Sequence, residues 1–443
     1  MTRDALGNEV SGSPEAVALL DDAVDRSLRH DGGVADSARA AAVADPSFAL
    51  PHAVLALADP ASAPAALACA QRLARVRATD FERSAIGFVA LLVQQGMWAA
   101  HRAGLDHAAA HPRDLLGVGL AATIVERSTR ADVHEAVRAV YEPSRRVLGD
   151  HPYLLCMLGF VEQEEGRFVE AGEMARRALD AQPGSVTAAH LLSHVNVETA
   201  NHDEGLGWLD GFRAGMDPSG DYVHHLGWHA ALHTLALGDG PGTLERLTAL
   251  AGPECDTFRH VVDNGTLLMR CRLCGLVGPG DDPTGGRAGA VPDEWLVAVP
   301  SMYVGFHAAV GLAVQQRAAD LRRLARNAAT MAAPGAPDLL APLATALADY
   351  VDGDTGRASD ALATLRPSMV RWGGSRAQRE VVEDILIDAA IRGERPEVAV
   401  AVLTERSDRR PNRWDDASLH LALRAVETSR CGTLCTDDTD SHH

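Results

Sequence analysis

Pro152-Tyr-Leu-Leu-Cys-Met-Leu158-Gly159-Phe-Val-Glu-Gln-Glu-Glu-Gly166-Arg-Phe-Val-Glu-Ala171-Gly-Glu-Met-Ala-Arg-Arg-Ala178-Leu-Asp-Ala-Gln-Pro183 carries small and turn-forming residues at fixed intervals. With Pro152 as position 1, Leu158 and Gly159 fall at 7 and 8, Gly166 at 15, Ala171 at 20, Ala178 at 27 and Pro183 at 32 of a 34-residue helix–turn–helix repeat. Each has a packing reason. Small side chains at 8, 20 and 27 let two antiparallel helices approach closely, Gly166 serves the turn, and Pro183 ends the second helix. The spacing predicts helices over 152–165 and 168–181.

Continued, the register opens the next unit at Val186 and puts His190 and His194 at positions 5 and 9 of its first helix. The Gly238-Asp239 turn sets a third unit, in which His225, Trp228 and His229 take positions 2, 5 and 6. The register is clearest over 152–250. In a stack of such hairpins the first helices line the concave surface and the second helices the convex one. His190, His194 and His225 are therefore expected to face one groove, with His224 and His233 turned away from it. The expected fold class is all-α: a tetratricopeptide-like α-solenoid of antiparallel helical hairpins.

The rest of the chain agrees with that reading. Apolar residues recur at helical spacing from Pro14 to Thr199, broken by short Asp-Pro, Gly and His-Pro punctuation, and no segment alternates with a period of two. No strand is expected. A Gly/Pro-rich stretch over 278–292 reads as an ordered lid or a mobile surface loop, and helical pattern resumes from about 293. With no linker between blocks of contrasting composition, 1–430 reads as one continuous solenoid and 431–443 as a disordered acidic tail.

Composition limits the partners. Aromatics are 4% of the 443 residues and apolar residues 47%, which suits close-packed helices. The net charge of −19, from 41 basic and 60 acidic residues, repels phosphate backbones and anionic membranes. Nucleic acid and membrane are not expected as partners. No run approaches ~18 apolar residues, and the N-terminus lacks the pattern of a signal peptide, so the chain reads as cytoplasmic. The sequence is compatible with an oligomer. Seven cysteines argue against a disulfide framework. Cys271 and Cys274 with Cys431 and Cys435 have the ligand types of a zinc site, but the second pair sits in the tail.

His190 and His194 share a helix face, as do His225, His229 and His233. That spacing lets two imidazoles reach one metal ion, and equally lets one imidazole buttress another. The metal ligands expected are His190, His194, His225 and His229, with a divalent ion as the cofactor the pattern admits. Asp263, an acid in an apolar helical run, is the carboxylate candidate, and burial should raise its proton affinity unless a cation compensates. Trp228 either stacks on a ligand or fills space between hairpins. His151 and His202 precede helix starts and read as capping or surface residues. No nucleotide-cofactor or common hydrolase motif is present.

His190-x-x-x-His194-Val195, His225-x-x-Trp228-His229, Val262-Asp263 followed by Arg270, Phe306-His307-Ala308 and Gly373-Gly374-Ser375-x-Ala377-Gln378-Arg379 together resemble the tetratricopeptide repeat protein 38-like family. The resemblance spans nearly the whole chain. It implies an all-helical solenoid with inward-facing histidines and acids, and says little of the reaction. Three positions depart from the family pattern. Val197 stands where an acid is expected, Val304-Gly305 replace Asn-Asp before His307, and Arg376 replaces a histidine.

The expected function is an enzyme acting on a small polar molecule in the solenoid groove. His190, His194, His225, His229, His307 and Asp263 would be its acid–base groups, and Trp228, Arg376 and Gln378 its substrate-binding residues. A lyase, cyclase or isomerase is favoured over a metal-assisted hydrolase because the departures remove acids. The alternative class is an adaptor that binds a peptide in its groove.

Overall fold

The computed structural model describes residues 2–436 except 219, 221, 279, 411 and 412. The described chain is helical almost throughout, and neighbouring helices pack pairwise. Where no strand was expected, Thr2–Arg3 pairs with Glu9–Val10 in an antiparallel ladder. The strands are too short for alternation to register in a sequence. They are held by a turn in which Asp4 accepts the N–H groups of Leu6 and Asn8 and the Asn8 amide. No helix among the described residues is long and apolar enough to cross a membrane.

Two compact units divide the chain. The first comprises 1–126, 132–195 and 212–223. Its helices begin at good caps: Ser13 accepts from the Ala16 N–H, and Thr79 with Glu82 forms a capping box at the start of Asp80–Gln95. The expected helical hairpin is present as Pro152–Glu164 packed on Phe168–Ala181. Gly166 makes its turn at φ +83°, and Ala171 and Ala178 are fully buried. Gly159 has no room for a side chain, because a Cβ there would collide with Leu191.

The second unit comprises 127–131, 196–211 and 224 to the C-terminus. Met302–Val314 is buried along its whole length, an apolar helix that neighbours cover on all sides. Thr257–Arg259 passes through a π-helical turn, His260–Asn264, into Gly265–Leu273. The Gly/Pro-rich stretch is fastened to this turn. The Gly289 N–H donates to the His260 carbonyl at 2.8 Å, Gln315 Nε2 donates to the Gly286 and Ala288 carbonyls, and Ala288 and Val291 are buried. The last helix runs Arg413–Thr436, so the stretch read as a tail begins inside it, and 437–443 lie outside the described residues. The side chains of Cys431 and Cys435 likewise lie outside what is described.

Candidate functional site

In the first unit, His190 and His194 stand one turn apart on Val186–Glu198 with their Nε2 atoms 2.9 Å apart, so one ring donates to the other. The ring of Phe160 packs against both, and Tyr222 against His190.

In the second unit, His225, Trp228, His229 and His233 lie along Val223–Ala236, all buried. His225 Nδ1 lies 2.9 Å from Asp263 Oδ1, and Arg259 Nη1 donates to Asp263 Oδ2 at 3.4 Å. Asp263 is fully buried, which alone would push its carboxyl up. The charge and hydrogen bond of His225, with Arg259 and His224, outweigh burial and hold it down at about 2. The compensating cation anticipated from sequence is thus supplied by the chain itself. With Nδ1–H on the carboxylate, loss of a proton from His225 would leave the lone pair on Nε2. Trp228 stacks on His225 at 5.3 Å and belongs to the core, while the ring of His229 meets His225 edge-on at 4.9 Å.

His307 comes from Met302–Val314 and donates Nδ1–H to the Tyr303 carbonyl at 2.8 Å. Burial pushes its imidazole down to about 3, and its buried Nε2 has no hydrogen-bond partner among the described residues. A neutral imidazole with an unsatisfied lone pair is a group that calls for a ligand proton or cation. Tyr303 packs on His307 at 4.6 Å, carries the Arg127 guanidinium over its ring at 3.9 Å, and accepts from Gln378 Nε2 at 2.9 Å.

Two residues expected to hold substrate have structural partners. Gln378 forms the capping box of Arg376–Arg392 with Ser375, and with Nε2 on Tyr303 its amide is engaged at both ends. Arg376 lies 4.0 Å from Glu198, a fully buried acid that Arg409 and Arg410 also approach. The loss of an acid at Val197 is thus met one residue on by a carboxylate committed to arginines rather than to the histidines.

Sequence reasoning missed Tyr303, Arg127 and Arg259, which had no periodic or motif signal. It also missed that His202, half-buried at the start of His202–Arg213, pairs Nδ1 to Nδ1 with His233 at 3.1 Å. Burial lowers both, to about 4 and about 3. His151 accepts from the Tyr153 N–H as the N-cap of Pro152–Glu164.

Cavities of about 350 Å³ in the first unit and about 280 Å³ in the second are lined by none of His190, His194, His225, His229, His307 and Asp263. Among models of known protein families, none matches this chain.

Proposed function

We propose that this chain is a tetratricopeptide-like solenoid of the repeat protein 38-like type and an enzyme that transfers protons on a small polar molecule, as a lyase, cyclase or isomerase does. The single observation that carries this reading is the 2.9 Å contact between His225 Nδ1 and a fully buried, ionised Asp263. A carboxylate on one ring nitrogen fixes the tautomer and makes the other nitrogen the working base, the logic shared by acid–base histidines on unrelated folds. His225 would take the substrate proton and Asp263 would stabilise the imidazolium that forms. Tyr303, His229 and His307 complete a set of polar groups in an otherwise apolar surround, where a hydrogen bond to developing charge is strong. His225→Asn and Asp263→Asn test it: both should stay folded and lose turnover.

The 2.9 Å approach of His190 Nε2 to His194 Nε2 favours a second reading, a metal-assisted hydrolase in which that pair would help hold an ion able to polarise a substrate oxygen and activate water. Metal analysis of protein purified without an affinity tag separates the two: a stoichiometric ion supports the hydrolase, and none removes it.

A further inference from the structure

The larger cavity lies in the first unit, apart from every residue assigned to the histidine site. It measures about 350 Å³, a volume suited to a small organic molecule. Leu20, Val24, Leu50, Val54, Phe81 and Phe88 supply apolar wall from three helices. Against them stand carboxylates: Asp4 from the N-terminal turn, Asp21 from Pro14–Arg29, and Asp114 from the residue before Leu115–Glu126.

The carboxylates on this wall differ in how they are neutralised. Asp22 and Asp25 also line the cavity, and each pairs with an arginine one turn on, Arg26 at 2.8 Å and Arg29 at 2.9 Å. Asp4 and Asp21 have only N–H partners, from Leu6, Asn8 and Ala5, and no ion pair among the described residues. Arg113 donates to the Leu6 carbonyl and not to a carboxylate. Asp114 accepts from the Gly117 N–H and from His107 Nε2 at 2.8 Å, and His107 Nδ1 accepts from Ser84 Oγ at 2.8 Å. This serine–histidine–aspartate chain sits behind the wall, since neither Ser84 nor His107 lines the cavity, and it positions Asp114. Burial pushes the carboxyls of Asp4 and Asp21 up, and each is pushed further by a neighbouring acid. The chain contains no lysine that could reach in to balance them.

We infer that this cavity binds a small organic ammonium ion, a primary or secondary amine on an aliphatic or aromatic body. The carboxylates would take the N–H groups, the apolar wall the body, and the rings of Phe81 and Phe88 would add attraction for the cation. A bare metal ion fits less well, because hard cations want six or more oxygens and the apolar wall offers none.

Calorimetric titration of the full chain with phenethylamine, 2-phenylethanol and 3-phenylpropanoate tests this directly. The amine should bind saturably, the alcohol at least tenfold more weakly, and the carboxylate not at all. Asp21→Asn should weaken the amine tenfold or more. Ala53→Phe, which fills the cavity and leaves the acids in place, should abolish binding with the circular dichroism melt retained. The inference is overturned if the alcohol binds as well as the amine, if the amine gives no saturable heat, or if both folded variants bind it within twofold of wild type. The three-ligand comparison needs no variant, so misfolding of either one leaves a decisive result.

Discussion

His225 Nδ1 and Asp263 Oδ1 lie 2.9 Å apart across 38 residues of sequence, with both side chains buried and Arg259 3.4 Å from the other carboxylate oxygen. The contact keeps a buried carboxylate ionised and sets which nitrogen of His225 bears the proton. Its parts are held by structure of different kinds. A regular helix carries the histidine, and a π-helical turn carries the acid.

Asp263 has consequences for acid stability. Its folded proton affinity, near 2, lies below the ordinary carboxyl value of 3.8. The associated stability is therefore complete above about pH 4 and lost as pH falls through 2, and amounts to about 2 kcal/mol. Asp263→Asn should melt lower than wild type at pH 7, and the gap should narrow between pH 4 and pH 2. Thermal melts across that range check it.

His233 works in the same direction at higher pH. Burial, with His202 beside it, depresses the imidazole from 6.5 to about 3, so it is neutral in the fold and must gain a proton on acid unfolding. Stability tied to it is full above pH 6.5 and falls as pH drops from there toward 3, a loss of about 2 kcal/mol by pH 5. His233→Leu should therefore lose less melting temperature than wild type between pH 7 and pH 5. An equal loss in both proteins would show that His233 is not a neutral buried group.

Gly289 braces the turn that carries Asp263. It has φ +73°, and a Cβ there would meet Val314 and the backbone of Gly311. Gly289→Ala combines a strained conformation with overpacking against backbone, which together cost about 2 to 4 kcal/mol. The variant should lower the melting temperature and increase amide hydrogen exchange over 257–273, since Gly289 N–H holds the His260 carbonyl. Unchanged exchange there would detach the loop from the site.

The helical hairpin was legible because its determinants are local. Gly166, Ala171 and Ala178 sit where two helices touch, and their small size is visible without knowing the fold. Asp263 was legible as an anomaly, an acid in an apolar run, but its answer in His225 was not. The π-turn at His260–Asn264 inserts an extra residue and shifts helical phase, so counting at 3.6 residues per turn misplaces the side chains beyond it. Tyr303 and Arg127 meet across 176 positions with no motif at either end. Gln378 read as a ligand-binding amide because the capping box that employs it appears only when Ser375 is known to begin a helix. Glu198 shows the same limit: a buried acid is readable as unusual, and Arg409 and Arg410, which approach it, come from the far end of the chain.

The most direct measurement is turnover in a mixture of small polar metabolites, followed by mass spectrometry, with wild type compared with folded His225→Asn and Asp263→Asn. A positioned acid–base group contributes roughly 10²–10⁴-fold to a proton-transfer step. The wild type should deplete at least one metabolite and accumulate its product, and both variants should slow that conversion about 100-fold or more while still folded at the assay temperature by circular dichroism. No change with wild type, or conversion by His225→Asn within about threefold of wild type, would contradict the assignment of chemistry to His225 and Asp263.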